Sequence, residues 1–152
     1  MHILSVHAES WTLPLVAPFV VATRSAQEAM NVRIRIETDS GAGGDGASAP
    51  VGYVTGESVE SVLDALQVVG PDFVGQSVDR LQPLLALADK LLRDAPAARA
   101  GLEMALFDAW ARHWRMPLWQ HFGGALRQVT TDLTIPFVTP DAAAGLAQAA
   151  WA

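Results

Sequence analysis

Arg24 is the first residue whose setting suggests chemistry. It follows the apolar run Phe19-Val20-Val21 inside VAPFVVATRSAQ, residues 16–27. An apolar loop with one fixed cation is unusual for a solvated turn, and a guanidinium fork matches the two oxygens of a carboxylate. A plain surface arginine is the alternative. Gly41, Gly43 and Gly46 spell GxGxxG behind a predicted strand. Dinucleotide binding by such a run requires a helix to open at once, so that its amides face a pyrophosphate. Pro50 and Gly52 follow instead, which argues against that use. His2, His7, His113 and His121 are isolated and lack the clustered spacing of metal ligands; His113 is expected to pack on a helix. Asp45 lacks the flanking oxygen donors of a calcium loop. Glu103 and Asp108 are poorly placed to share a helix face, so ion pairing is expected of each. Lys90 is the only lysine and falls in an ordinary amphipathic pattern.

Those residues sit in a chain of 152 with 51% hydrophobic residues, ample for one core and part of a second. A net charge of −6 without a basic run argues against nucleic acid. No cysteine is present, which excludes disulfides and thiolate metal sites. Met1-His2-Ile3 lacks a secretory n-region. Leu13 to Ala22 is broken by Pro14 and Pro18 and is too short to span a bilayer. A soluble cytoplasmic protein, with no membrane partner, is expected.

Residues 94–124, DAPAARAGLEMALFDAWARHWRMPLWQHFGG, organise the rest. Leu102, Ala105, Leu106, Ala109 and His113 share one helical face; Met104, Phe107, Ala111 and Trp114 share another. Two apolar faces predict burial between two partners. Asp94 suits the cap and Pro96 the first turn. Arg99–Glu103 and Asp108–Arg112 are i,i+4 pairs. Pro117 ends the helix near Arg115; Leu118 to Phe122 add a short turn, stopped by Gly123-Gly124. Upstream, Ile3 to Leu15 reads as a strand bent or ended by Pro14, then a loop over 16–27. Glu28 to Thr38 is a strand whose Met30, Val32, Ile34 and Ile36 alternate with polar residues, the antiparallel pattern. Gly41 to Pro50 is expected to hold a weak third strand. A loop over Val51 to Glu57 leads into helices at Ser58 to Val69, ended by Gly70-Pro71, and at Asp79 to Arg93 with Leu81, Leu84, Leu85, Ala88, Leu91 and Leu92 inward. Beyond Gly124 a strand is expected at Val129 to Val138 and a helix at Asp141 to Ala152, capped by Thr139-Pro140. Strands followed by helices make an α+β unit, and a βα unit like the last one opens a (β/α) barrel of about 250 residues.

The run AxxGLEMALFDAWARHWRMPLWQHFGG resembles the helix and Gly-Gly exit that close the N-terminal capping domain of the enolase superfamily, in its mandelate racemase and muconate lactonizing enzyme group. PFVVATRS resembles the first substrate-covering loop of the L-Ala-D/L-Glu type of dipeptide epimerase. VTGES, residues 54–58, resembles the second such loop, and TDLTI, Thr131 to Ile135, the first barrel strand. The resemblance implies an enolase N-terminal-like domain, a three-stranded antiparallel meander followed by a helical bundle, over 1–124. It implies the first βα unit of an incomplete barrel over 125–152. It further implies that Arg24 meets the acidic side chain of a dipeptide and that Phe19, Tyr53 and Thr134 help to bind substrate; packing against the meander is the alternative for Phe19 and Tyr53. One departure is Gly44-Asp45-Gly46-Ala47, where the family usually reads Gly-x-Gly-Glu.

The family reaction is proton abstraction next to a carboxylate. Mg2+ stabilises the resulting charge, and lysines on later barrel strands move the proton. Those strands lie beyond this chain, and Lys90 is no candidate. The chain alone is therefore expected to hold no catalytic residue, metal ligand or cofactor, while a full-length parent would use Mg2+ and a small dipeptide or diacid. Two alternatives stay open: part of a muconate-type cycloisomerase, and a self-standing α+β interaction module. The exposed Leu133, Ile135 and Phe137 of an unpaired tail predict a homo-oligomer.

Overall fold

The computed structural model describes residues 1–22, 24–125 and 128–151. Three strands, β1 (Ile3–Val21), β2 (Arg24–Thr38) and β3 (Gly44–Ser48), form one sheet in the order β1-β2-β3. Six helices follow: α1 (Gly52–Thr55), α2 (Val59–Phe73), α3 (Leu81–Leu91), α4 (Pro96–Trp114), α5 (Leu118–His121) and α6 (Pro140–Trp151). Contacts divide the chain into two units. The first comprises Met1–Trp11 and Met30–Ala125, the second Thr12–Ala29 and Leu126–Ala152.

In the first unit, β2 shows the alternation read from its sequence from Val32 onward, whereas Met30, expected on the same buried face, is 51% exposed. Val32, Ile34 and Ile36 are fully buried, while Arg35 and Glu37 face water. β3 pairs antiparallel to it, with Val32 opposite Ser48, Ile34 opposite Gly46 and Ile36 opposite Gly44. Gly44, Gly46 and Ser48 therefore share the buried face, where α4 lies against them. A Cβ on Gly46 would fall inside contact distance of the Gly101 carbonyl and 2.7 Å from the Ala105 amide. A Cβ on Gly101 would stand 2.5 Å from Ile34 Cδ1. The glycines that weaken β3 as a strand are what allow the helix backbone to approach it. Ser48 shows the same closeness, for its hydroxyl is buried without a hydrogen-bond partner. Ser48→Ala removes that desolvated group at little cost in shape. It should raise stability by about 1 kcal/mol and the melting temperature by a few degrees. An unchanged or lowered melting temperature would show that the hydroxyl is satisfied.

Helix α2 begins at a capping box in which Ser58 Oγ accepts the Ser61 amide at 3.2 Å and Ser61 Oγ accepts the Ser58 amide at 2.9 Å. Its stripe of Val59, Val62, Leu66 and Val69 is buried. The helix does not end at Gly70-Pro71; it runs to Phe73. Gly70 sits against Val6 and Phe73 is fully buried, so core packing holds the last turn, while the carbonyl deprived of a partner by Pro71 belongs to exposed Gln67. Helix α3 is shorter than its sequence pattern, and Leu91 is exposed rather than inward.

On α4, Ala98, Gly101, Leu102, Ala105, Leu106 and Ala109 are buried. The second apolar face is not: Met104 is 52% and Trp114 56% exposed, leaving Ala111 buried and Phe107 partly so. Phe107 packs in part against the core, and its ring lies 6.0 Å from that of His121 on the short α5. The helix closes at Arg115, which adopts a left-handed conformation, and Gly123 stops α5 with φ 74°.

The second unit departs further from expectation. Residues 16–21 and 24–27, read as loop, continue β1 and β2, and the connecting Thr23 lies outside the described residues. Pro14 and Pro18 do not end β1, which lies at the sheet edge, where proline is tolerated at positions whose nitrogen faces away from the neighbouring strand. The strand expected at 129–138 is not formed. A parallel barrel strand needs neighbouring strands to bond with, and among the described residues this stretch makes one such bond, from the Phe137 amide to the Val20 carbonyl at 2.7 Å. Helix α6 follows with Pro140 at its start and the Ala143 amide bonded to the Thr139 carbonyl, while Ala152 lies outside the described residues.

Candidate functional site

Three of the four residues expected at a substrate site fall in the second unit. Phe19 is half-buried on β1, and Arg24 is exposed as the first residue of β2, so the two flank the strand connection. Thr134 is exposed within 128–139, the segment whose Phe137 amide bonds the Val20 carbonyl beside Phe19. Tyr53 belongs to the first unit. It is 71% exposed on α1, a single turn formed where a loop was expected.

One residue of consequence escaped sequence reading. Glu57, just after α1, is buried, and its carboxylate accepts the amide of Ala97 at 2.8 Å and that of Ala98 at 3.2 Å. It caps α4 from a distance, and the expected cap Asp94 does not: the N-cap position is Ala95, without a side-chain bond. The available signal was the sequence Ala95-Pro96-Ala97-Ala98, which offers no capping side chain of its own.

Several of the other titratable residues form pairs. Arg33 and Arg35 reach Asp45 at 3.1 and 3.4 Å, and the Asp45 amide donates to Asp108. Asp108 also accepts Arg112 at 2.8 Å, and that bond raises the arginine's already high pKa. Arg99 pairs with Glu103 at 3.6 Å and with Asp89, so Glu103 and Asp108 act as the ion-pair partners expected of them. His113 Nε2 lies 2.8 Å from Asp79 rather than packing in the core, His2 bonds Asp39, and His121 stacks edge-on against Trp110. The His2 backbone amide, and then its ring, hold Asp39 below the ordinary carboxylate range. The Met1 ammonium does the same for Asp79. Lys90 is exposed on α3, along a 670 Å³ groove with Asp64, Val68 and Arg93. Among the described residues no three His, Asp or Glu side chains gather where they could share a metal ion. No described helix is long and apolar enough to cross a membrane.

A three-stranded antiparallel sheet followed by helices defines an α+β domain of the enolase N-terminal kind. The chain belongs to the mandelate racemase / muconate lactonizing enzyme family, whose N-terminal domain it matches over residues 4–123. It is 38% identical to the aromatic dipeptide epimerase of Herpetosiphon aurantiacus over 88% of this chain and 37% of that protein. It is 34% identical to the L-Ala-D/L-Glu epimerase of Bacillus subtilis over 93% of this chain and 39% of that protein. The chain thus spans well under half the length of these relatives. Its fold is similar to a dipeptide epimerase from Methylococcus capsulatus, crystallised with Mg and the dipeptide L-Arg-D-Lys. The TM-score is 0.91 at 32% identity, over 99% of this chain and 43% of that one.

Proposed function

We propose that this chain is the substrate-covering N-terminal part of a Mg2+-dependent dipeptide epimerase. Residues 1–124 form the capping domain, and 125–152 open the barrel. The observation that carries this is similarity to several dipeptide epimerases along nearly the whole chain, within the domain that lacks their barrel. The parent would remove and return the proton next to a carboxylate, with the metal and the proton-transferring groups supplied outside the described residues. This chain's own contribution is recognition. Arg24 would bind the substrate's side-chain carboxylate, with Phe19 and Thr134 beside it in the same unit and Tyr53 on the second loop. Such a protein works in the cytoplasm, in keeping with a sequence free of cysteine.

The test is solvent deuterium exchange at the α-carbon of acidic, aromatic and basic dipeptides. The chain alone should exchange none. A parent carrying the barrel should exchange at least one class in a Mg2+-dependent manner. Exchange of none by that parent would overturn the proposal. In the same preparations the chain alone should elute from a sizing column earlier than a monomer would, because Leu133, Phe137 and Trp151 stand exposed.

A further inference from the structure

We propose that Glu57 is a positioning residue that ties the loop carrying Tyr53 to the start of α4. Helix α4 lacks a cap of its own, and its first-turn donors can be accounted for one by one. Pro96 has no N–H. Ala97 and Ala98 donate to Glu57, at 2.8 and 3.2 Å, and Arg99 donates to the Ala95 carbonyl at 2.9 Å. The set is complete with Glu57; without it two amides lose their acceptor, that of Ala98 buried and that of Ala97 part-buried. The negative carboxylate also lies at the positive end of a 19-residue helix.

The dependence runs the other way as well. Helix α1 is one turn of four residues, has no side-chain cap and buries none of its residues. A helix of that length does not hold itself together in water. Its far end is fixed by the left-handed Gly56, whose amide bonds the Gly52 carbonyl at 3.0 Å, and by the Glu57 amide on Thr55 Oγ1 at 3.4 Å. The next residue, Ser58, already caps α2. Glu57 is the one buried side chain between α1 and α2, and it fastens the turn to an element distant in sequence. One carboxylate therefore joins the first turn of α4 to the loop that carries Tyr53. That Tyr53 faces substrate rests on the function proposed above; the tether does not.

Tyr53 is the only tyrosine, so 3-fluorotyrosine incorporated into the 152-residue chain gives a single 19F resonance from this loop. In the wild type that resonance should be broad and displaced from free fluorotyrosine. In Glu57→Ala it should sharpen and move toward the free position, and in Glu57→Gln, which keeps one acceptor oxygen, it should move in the same direction by less. Leu84→Ala empties a core site on α3 and serves as a control for lost stability alone; below its melting temperature it should leave the resonance unmoved. An unmoved resonance in folded Glu57→Ala, or an equal movement in Leu84→Ala, would overturn the proposal. Should Glu57→Ala not fold, Glu57→Gln decides: a shifted resonance supports the tether and a wild-type one removes it. None of these outcomes depends on epimerase activity, so failure here is separable from failure of the function proposed.

Discussion

Gly46→Ala should cost this protein roughly 3 kcal/mol or more, beyond the usual range for an overpacked core site, and lower the melting temperature by about 10 °C. The added methyl meets backbone, not a side chain that could turn away. Its nearest neighbours are the Gly101 carbonyl and the Ala105 amide, both within α4. Relief would require β3 and α4 to part, and that would loosen the packing of Val32, Ile34 and Ile36 at the same time. Gly41→Ala is the comparison. Nothing lies within 4 Å of a Cβ there, but φ is +78°, so only the left-handed backbone penalty of about 1 kcal/mol should appear. Equal losses in the two variants, measured by thermal or urea unfolding, would show that close packing is not what Gly46 provides.

In the proposed parent, Arg24→Ala should raise KM for dipeptides with an acidic side chain by roughly 10- to 100-fold and leave neutral ones within about twofold. A charge-assisted hydrogen bond is worth about 1.5–3 kcal/mol, and 1.4 kcal/mol is about tenfold. The proposed contact would lie away from the reacting carbon and would be made alike in ground and transition states, so KM should move and kcat should not. Arg24→Lys keeps the charge and loses the fork, so it should fall between. The relatives act on different side chains by their names, aromatic and Glu among them. A parent specific for basic dipeptides would instead be improved by Arg24→Ala through loss of repulsion. Equal effects on all classes would reduce Arg24 to a surface residue.

What the sequence made legible was local. The alternation of β2, the Ser58 start of α2 and the i,i+4 pairs of α4 each depend on residues a few positions apart, and each is found in the structure. What it hid was set by distant partners. Asp94 looked like the cap of α4 because it was adjacent, whereas the acid that serves comes from Glu57, 40 residues before Ala97. Pro14 looked like a strand end because edge position is a property of the sheet, not of the residue. The strand at 129–138 had the composition of one, but a strand exists only with something to bond. The second face of α4 shows the same limit, since apolar spacing marks a surface suited to burial without saying that this chain buries it.

The glycines of β3 have a consequence for the order in which the chain is made. With no side chains at positions 44 and 46 to grip the sheet, β3 depends on α4 for its buried contacts, and α2 and α3 are both synthesised in between. A chain growing at about 5–20 residues per second spends several seconds with the apolar face of β2 bare. During that interval the nascent polypeptide is a client for whatever cellular machinery shields sticky segments, and its yield should be limited on the ribosome before it is limited by the finished fold.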